Sequence, residues 1–182
     1  MAKREIKECT HPKEDYTVYL VSPIDTGVRN FNGIVKYYQY HAPQIDCVHS
    51  IHRITDLSTQ EAVFKELMKI ANMQNRHSFV QRFQPNSLAL FQLEGNVICL
   101  KCPRMVCKKG KEETELSALL RHLRNVFAHG RTYIKKTKNQ TYVILEDYDT
   151  SNSKKPKLSA KIVITKAILE KWKAFLENQV EV

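Results

Sequence analysis

The strongest constraint in this chain is an apolar stripe that only a helix can gather onto one side. Leu116, Leu119, Leu120, Leu123, Val126 and Phe127 recur at spacings of three and four residues or their sums. At about one hundred degrees per residue they fall within roughly a third of the helical circumference. The pattern begins near Glu112 and ends at Gly130, a residue suited to the left-handed conformation that stops a helix. An arc so apolar must face a core. The opposite arc holds Ser117, Ala118, Arg121, His122, Arg124, Asn125, Ala128 and His129. Lysine and glutamate usually dominate solvated helix surface. This arc instead mixes small residues, which let another backbone approach, with polar groups that converge at the edge of such a contact. A partner helix is expected there.

Other periodicities predict helices over residues 29–41, ending before Pro43, and over 59–79 behind the capping-box spacing of Ser58 and Glu61. A last helix is predicted over 166–178, with Ile168, Leu169, Trp172, Phe175 and Leu176 on one face. Runs rich in β-branched and aromatic residues at 132–134, 141–145 and 161–165 read as a short β-hairpin or meander between the helix that ends at Gly130 and that last helix. Weaker alternation at 96–101 and 104–108 allows two short strands around Pro103. The expected architecture is a single, mainly α domain over 1–182. Residues 1–15 are expected to be loosely held, and the polar stretch 147–157 to form an exposed loop.

With 182 residues the chain can bury a core without disulfides, and its five cysteines, an odd number, read as free thiols of a reducing compartment. No apolar run approaches the length of a membrane span, and no charged-then-apolar leader opens the sequence, so a cytoplasmic protein without membrane contact is expected. Lys and Arg outnumber Asp and Glu by 29 to 19, for a formal charge of +10, which favours a polyanionic partner such as RNA. Glycine-rich phosphate loops and a supported Ser-His-Asp arrangement are absent, which removes kinase, P-loop and hydrolase readings. Cys99, Cys102 and Cys107 have C-x2-C-x4-C spacing compatible with zinc, and Cys9 or His11 offers a fourth ligand. Their apolar flanks favour buried structural thiols instead, and no cofactor is expected. Tyr37, Tyr38 and Tyr40 are suited to stacking on bases, although helical spacing places two of them in the core.

RNA is cleaved without a metal when a base takes the 2′-hydroxyl proton, a cation stabilises the phosphate and an acid protonates the leaving 5′-oxygen. Histidine suits the proton transfers, the guanidinium fork suits the phosphate, and asparagine can hold an imidazole or a substrate oxygen without titrating. Arg124, Asn125 and His129 supply these capacities within two turns. A polar helix face used only for recognition has the same composition, so both readings stand at the level of residue chemistry.

The stretch Leu120 to Arg131 resembles the HEPN superfamily (higher eukaryotes and prokaryotes nucleotide-binding), whose hallmark is Arg, a polar residue, three variable residues and His near a helix end. Arg124 matches the motif arginine, Asn125 the polar residue and His129 the histidine, and Gly130 with Arg131 extends the match to an Ala-His-Gly-Arg ending. The resemblance implies a helical bundle that dimerises with two motif helices facing one another across a composite cleft. Members with this motif are similar to metal-independent endoribonucleases of toxin-antitoxin, abortive-infection and phage-defence systems, which raises the expectation of an antitoxin partner. Arg124, Asn125 and His129 are then the expected catalytic residues, with Arg121, His122 and Arg131 contacting RNA. The alternative is a non-catalytic HEPN homodimer that binds RNA or a protein.

Overall fold

The computed structural model describes residues 9–16, 28, 30–43, 57–150 and 156–179; Arg29, Cys47 and residues 151–155 of the polar stretch lie outside the described residues. Phe31, Ile34 and Val35 turn inward from helix α1 (Phe31–Lys36), which widens into a π-helical turn at Tyr37–His41 and ends before Pro43. Helix α2 (Leu57–Ile70) buries Val63, Phe64, Leu67 and Met68. It stops well before Phe79 because Asn72 takes φ 53°. The Asn72 and Met73 amides then close back on the carbonyls of Lys69 and Met68 at 3.0 and 2.8 Å. Asparagine tolerates that left-handed geometry, and the paired amides satisfy carbonyls the helix leaves open. The chain departs as a strand.

Strand β1 is Glu14–Asp15, β2 His77–Val80, β3 Val97–Ile98, β4 Arg104–Lys108, β5 Thr132–Lys136, β6 Thr141–Asp149 and β7 Lys157–Thr165; α3 is Pro85–Ala89, α4 Glu115–Ala128 and α5 Lys166–Glu177. Five strands form one sheet in the order β2-β4-β7-β6-β5, parallel between β2 and β4 and antiparallel elsewhere, while β1 pairs antiparallel with β3. The fold is therefore α/β, which corrects the expectation of a mainly helical bundle. Strands covered on both faces lack the alternation that marks a half-exposed strand, so the sequence pattern understates the sheet. Every residue of β7 from Ser159 to Thr165 is buried.

On one face of the sheet, Met105, Cys107, Val143, Leu145, Ala160, Ile162 and Ile164 join the apolar sides of α1, α2, α4 and α5 in the main core. On the other face, Val106, Ile144 and Val163 pack with Tyr16, Leu93, Ile98 and Leu100. The segment 9–16 thus lies against the sheet, held by the β1–β3 pairing and by the Tyr16 amide on the Asn96 carbonyl at 3.1 Å, while the rest of the start expected to be loosely held, residues 1–8, lies outside the described residues. The exposed loop also contracts, since β6 extends to Asp149 and β7 begins at Lys157. Among the described residues no helix is long and apolar enough to cross a membrane.

Trp172 of α5 joins the helical layer to itself: its ring is fully buried, and its Nε1–H donates to the Leu67 carbonyl of α2 at 2.7 Å. Trp172→Phe removes that bond, leaves the Leu67 carbonyl with the Ala71 amide as its partner and opens a small void, and should lower the unfolding free energy by about 1–3 kcal/mol. Since this is the sole tryptophan, urea unfolding followed by circular dichroism is the appropriate measurement, and an unchanged midpoint would contradict the role assigned to the ring.

Candidate active site

Helix α4 starts at a defined cap. The Thr114 hydroxyl oxygen accepts from the Ser117 amide at 3.1 Å, and its O–H donates to Gln60 Oε1 of α2 at 2.7 Å. Its other end is equally fixed. His129 caps the helix, its amide bonded to the Asn125 carbonyl at 2.9 Å, Gly130 takes φ 66°, and the Arg131 amide reaches the Val126 carbonyl at 3.0 Å. This is the glycine stop that a left-handed residue permits. It sends the chain directly into β5.

Between these ends, α4 is buried on more of its circumference than the apolar stripe alone requires. Ser117, Ala118 and His122 are inside, at 4%, 0% and 0% exposure. The close approach attributed to a partner helix is thus made within the chain, where α4 packs on β4 and β6 as well as on α2 and the π-turn. The position of His122 also corrects the expectation that it contacts RNA. Its Nδ1 lies 2.7 Å from Asp147 Oδ2 of β6, and its Nε2 lies 2.7 Å from the Lys108 carbonyl at the end of β4. Each ring nitrogen thus has an oxygen within hydrogen-bond distance, which holds the ring between β4 and β6. Strand register explains why there is room. Cys107, Ala160 and Asp147 align across β4, β7 and β6, with the small Ala160 in the middle.

Asn125 joins the same carboxylate, its Nδ2 donating to Asp147 Oδ2 at 3.2 Å. Burial pushes the Asp147 carboxyl upward, but the hydrogen bond and charge of His122, with Asn125 and the Tyr148 amide, outweigh it and hold the group below the usual carboxylate range. Arg121 forks onto Glu113 at 2.7 and 2.8 Å and also donates to the Lys108 carbonyl at 3.1 Å. Lys108 in turn pairs with Asp149 at 2.7 Å. These groups line a cleft of 550 Å³ that includes Arg121, Asn125, Asp147, Tyr148 and Asp149. Its cations are each matched by a neighbouring carboxylate.

The other motif residues sit around the end of the helix, and neither Arg124 nor His129 lines that cleft. Arg124 is half-buried and His129 is exposed. Arg131 lies with its guanidinium 4.8 Å from the centre of the Tyr148 ring. Of the three tyrosines considered for stacking, Tyr37 and Tyr38 are buried, the latter stacked on Phe127 at 5.6 Å, and Tyr40 is 70% exposed. Gln39 Nε2 donates to the Phe127 carbonyl at 2.7 Å, which ties the turn bearing Tyr40 to the last turn of α4.

Cys107 is fully buried in the core, and burial pushes its thiol up, whereas Cys99 and Cys102 approach Cys9 and His11. Cys107 therefore does not join Cys99 and Cys102 in the grouping their spacing allowed. Asp147 is the residue that sequence reasoning missed. The alternation in β6 carried a signal, since Asp147 falls on the same face as Val143 and Leu145, the face that meets the helices.

Removing the Asp147 carboxylate leaves the buried His122 imidazole and the half-buried Asn125 carboxamide without this acceptor, so Asp147→Ala should lower stability by about 3 kcal/mol or more near neutral pH. A carboxyl held low in the folded state stabilises above its unfolded value of about 3.9, and that contribution disappears as pH falls through the folded value. The gap between the parent protein and Asp147→Ala in urea unfolding should therefore narrow from pH 7 to pH 3. A gap independent of pH would refute the linkage.

A family model described as HEPN pEK499 p136 matches residues 53–182, which includes α2, the whole five-stranded sheet, α4 and α5. No curated protein and no solved structure matches the chain. With the family model covering well over half of its length and the motif helix within the match, the chain belongs to the HEPN pEK499 p136 family.

Proposed function

We propose that this protein is a metal-independent endoribonuclease that acts as a homodimer, with Arg124, Asn125 and His129 as its reacting and positioning groups. The observation that carries the reading is the fixed, solvent-facing end of α4. His129 projects from a helix cap clamped by Gly130 and the Arg131 amide, with Arg124 and Asn125 in the preceding turn. An imidazole so placed can transfer a proton at the 2′-oxygen or the leaving 5′-oxygen, and the Arg124 guanidinium can hold the phosphate between them. Asn125, steadied by Asp147, orients the reacting groups. Arg131 beside Tyr148 adds positive charge, and exposed Tyr40 offers a ring on which a base can stack.

Among the described residues of α4 and its cap, His129 is the one exposed histidine, while the reaction needs both an acid and a base. A second copy related by a two-fold axis would supply the other and create a composite cleft. Since Ser117, Ala118 and His122 are internal, the surface available to that partner is restricted to the helix end around Arg124, Ala128 and His129. The positive net charge of the chain favours an RNA substrate over a neutral one.

His129→Ala should lower the cleavage rate by at least about a hundredfold with magnesium withheld, the usual scale for losing a positioned acid or base. Circular dichroism and light scattering should show an unchanged fold and assembly. Arg124→Ala should slow the reaction and also weaken RNA binding. Products should end in 2′,3′-cyclic phosphate and 5′-hydroxyl, and an RNA carrying 2′-deoxyribose at the cut should resist. If folded His129→Ala cleaves like the parent, the proposal fails. If neither cleaves any RNA yet both bind it equally, the protein is the non-catalytic recognition dimer instead.

A further inference from the structure

Four ligating side chains unused by the reaction meet on the other face of the sheet. The sulfur of Cys9 lies 3.0 Å from that of Cys99 and 2.8 Å from that of Cys102. His11 Nδ1 approaches Cys9 Sγ at 3.4 Å and Cys102 Sγ at 3.6 Å. All four ligand atoms lie within 4.8 Å of one another. We propose that Cys9, His11, Cys99 and Cys102 form a structural Cys3His zinc site that fastens the segment ahead of the matched family region onto the HEPN fold.

The donor set is the one zinc selects: three thiolates and one imidazole, in two short pairs, C-x-H and C-x2-C. Four protein ligands complete a tetrahedron, so the site is closed to substrate and its role is structural. Zinc–sulfur bonds of about 2.3 Å require sulfurs about 3.7 Å apart, which side-chain rotation of less than one ångström each can provide. A single disulfide would use two of these groups and leave a thiol and an imidazole crowded beside it. The ion employs all four.

Both halves of the site are held in place independently of any metal. Arg104, 2% exposed, donates from Nη1 to the carbonyls of Cys99 and Cys102 at 2.9 and 2.7 Å, and from Nε and Nη2 to the carbonyls of Phe91 and Gln92 at 2.8 Å each. This guanidinium shapes the C-x2-C loop from beneath. On the opposite side, the Cys9 amide donates to Gln92 Oε1 at 3.2 Å, Glu14 pairs with Lys135, and β1 joins β3 just before Cys99. A zinc ion with three thiolates and a neutral imidazole carries one net negative charge, which complements the buried Arg104 cation. Among the described residues, the hydrogen-bond partners of Arg104 are all carbonyl oxygens. The metal cross-links positions 90 residues apart.

The test is metal analysis of the full chain purified under reducing conditions, together with cobalt titration. About one zinc per chain is expected. Cobalt should produce the visible absorption of tetrahedral thiolate coordination, and zinc should abolish it. His11→Ala, at an exposed position, and Cys102→Ser should each weaken metal binding at least about tenfold, while Cys107→Ala should keep the full stoichiometry. A parent chain that is free of metal and gives no such absorption with cobalt overturns the proposal without recourse to any variant. So does undiminished zinc in folded His11→Ala and Cys102→Ser, or a Cys9 disulfide in the native, zinc-treated protein.

Discussion

The rest of the molecule depends on how α4 is tied to the sheet, and the tie is polar. His122 reaches across the β7 strand at Ala160, spanning from the Lys108 carbonyl to the Asp147 carboxylate. A buried carboxylate and imidazole are costly to desolvate, and their attraction offsets that cost only when each remaining donor and acceptor finds a partner. Here Asn125 and the Tyr148 amide complete the carboxylate. An apolar contact would tolerate rotation of the helix about its axis. The directional bonds from His122 fix its rotation and height, and with them the directions of Arg124, Asn125 and His129.

The same logic recurs on the far face of the sheet, where Glu146 is flanked by Lys161 at 3.4 Å, Tyr16 at 2.6 Å and Tyr148 at 2.9 Å. Lys161 is 2% exposed and also donates to the Gly95 carbonyl at 2.7 Å. Adjacent residues of β6, Glu146 and Asp147, thus point to opposite faces and serve two separate buried networks. Tyr148 takes part in both regions, bonded to Glu146 and lying under Arg131. The sheet is therefore a physical link between the helix end that bears the motif and the layer containing the cysteine cluster.

The end of α4 is exposed at Ala128 and His129, and these positions contribute little burial to stability. Compensation comes from the two-sided cover of the sheet, with helices on one face and the segments 9–16 and 91–100 on the other. The ion pairs lining the cleft beside Asn125 hold their charges locally.

Much of the candidate site was legible along the sequence because helical spacing is a local property. The stripe from Leu116 to Phe127, the stop at Gly130 and the order of Arg124, Asn125 and His129 all follow from residues within two or three turns of each other, and the α5 face from Ile168 to Leu176 follows in the same way. Two-sided burial erased the strand pattern of β7 and hid the central sheet. Which polar residues of α4 point inward was decided by Asp147, 25 residues beyond His122. The partners of Cys99 and Cys102 were likewise decided by a segment some 90 residues away. A one-dimensional pattern records which residues can share a face, but contacts between distant segments determine what that face meets. Only the tertiary structure could turn His122 from a surface residue into the anchor of the motif helix, because its hydrogen-bonding partners come together only when β4, β7 and β6 align.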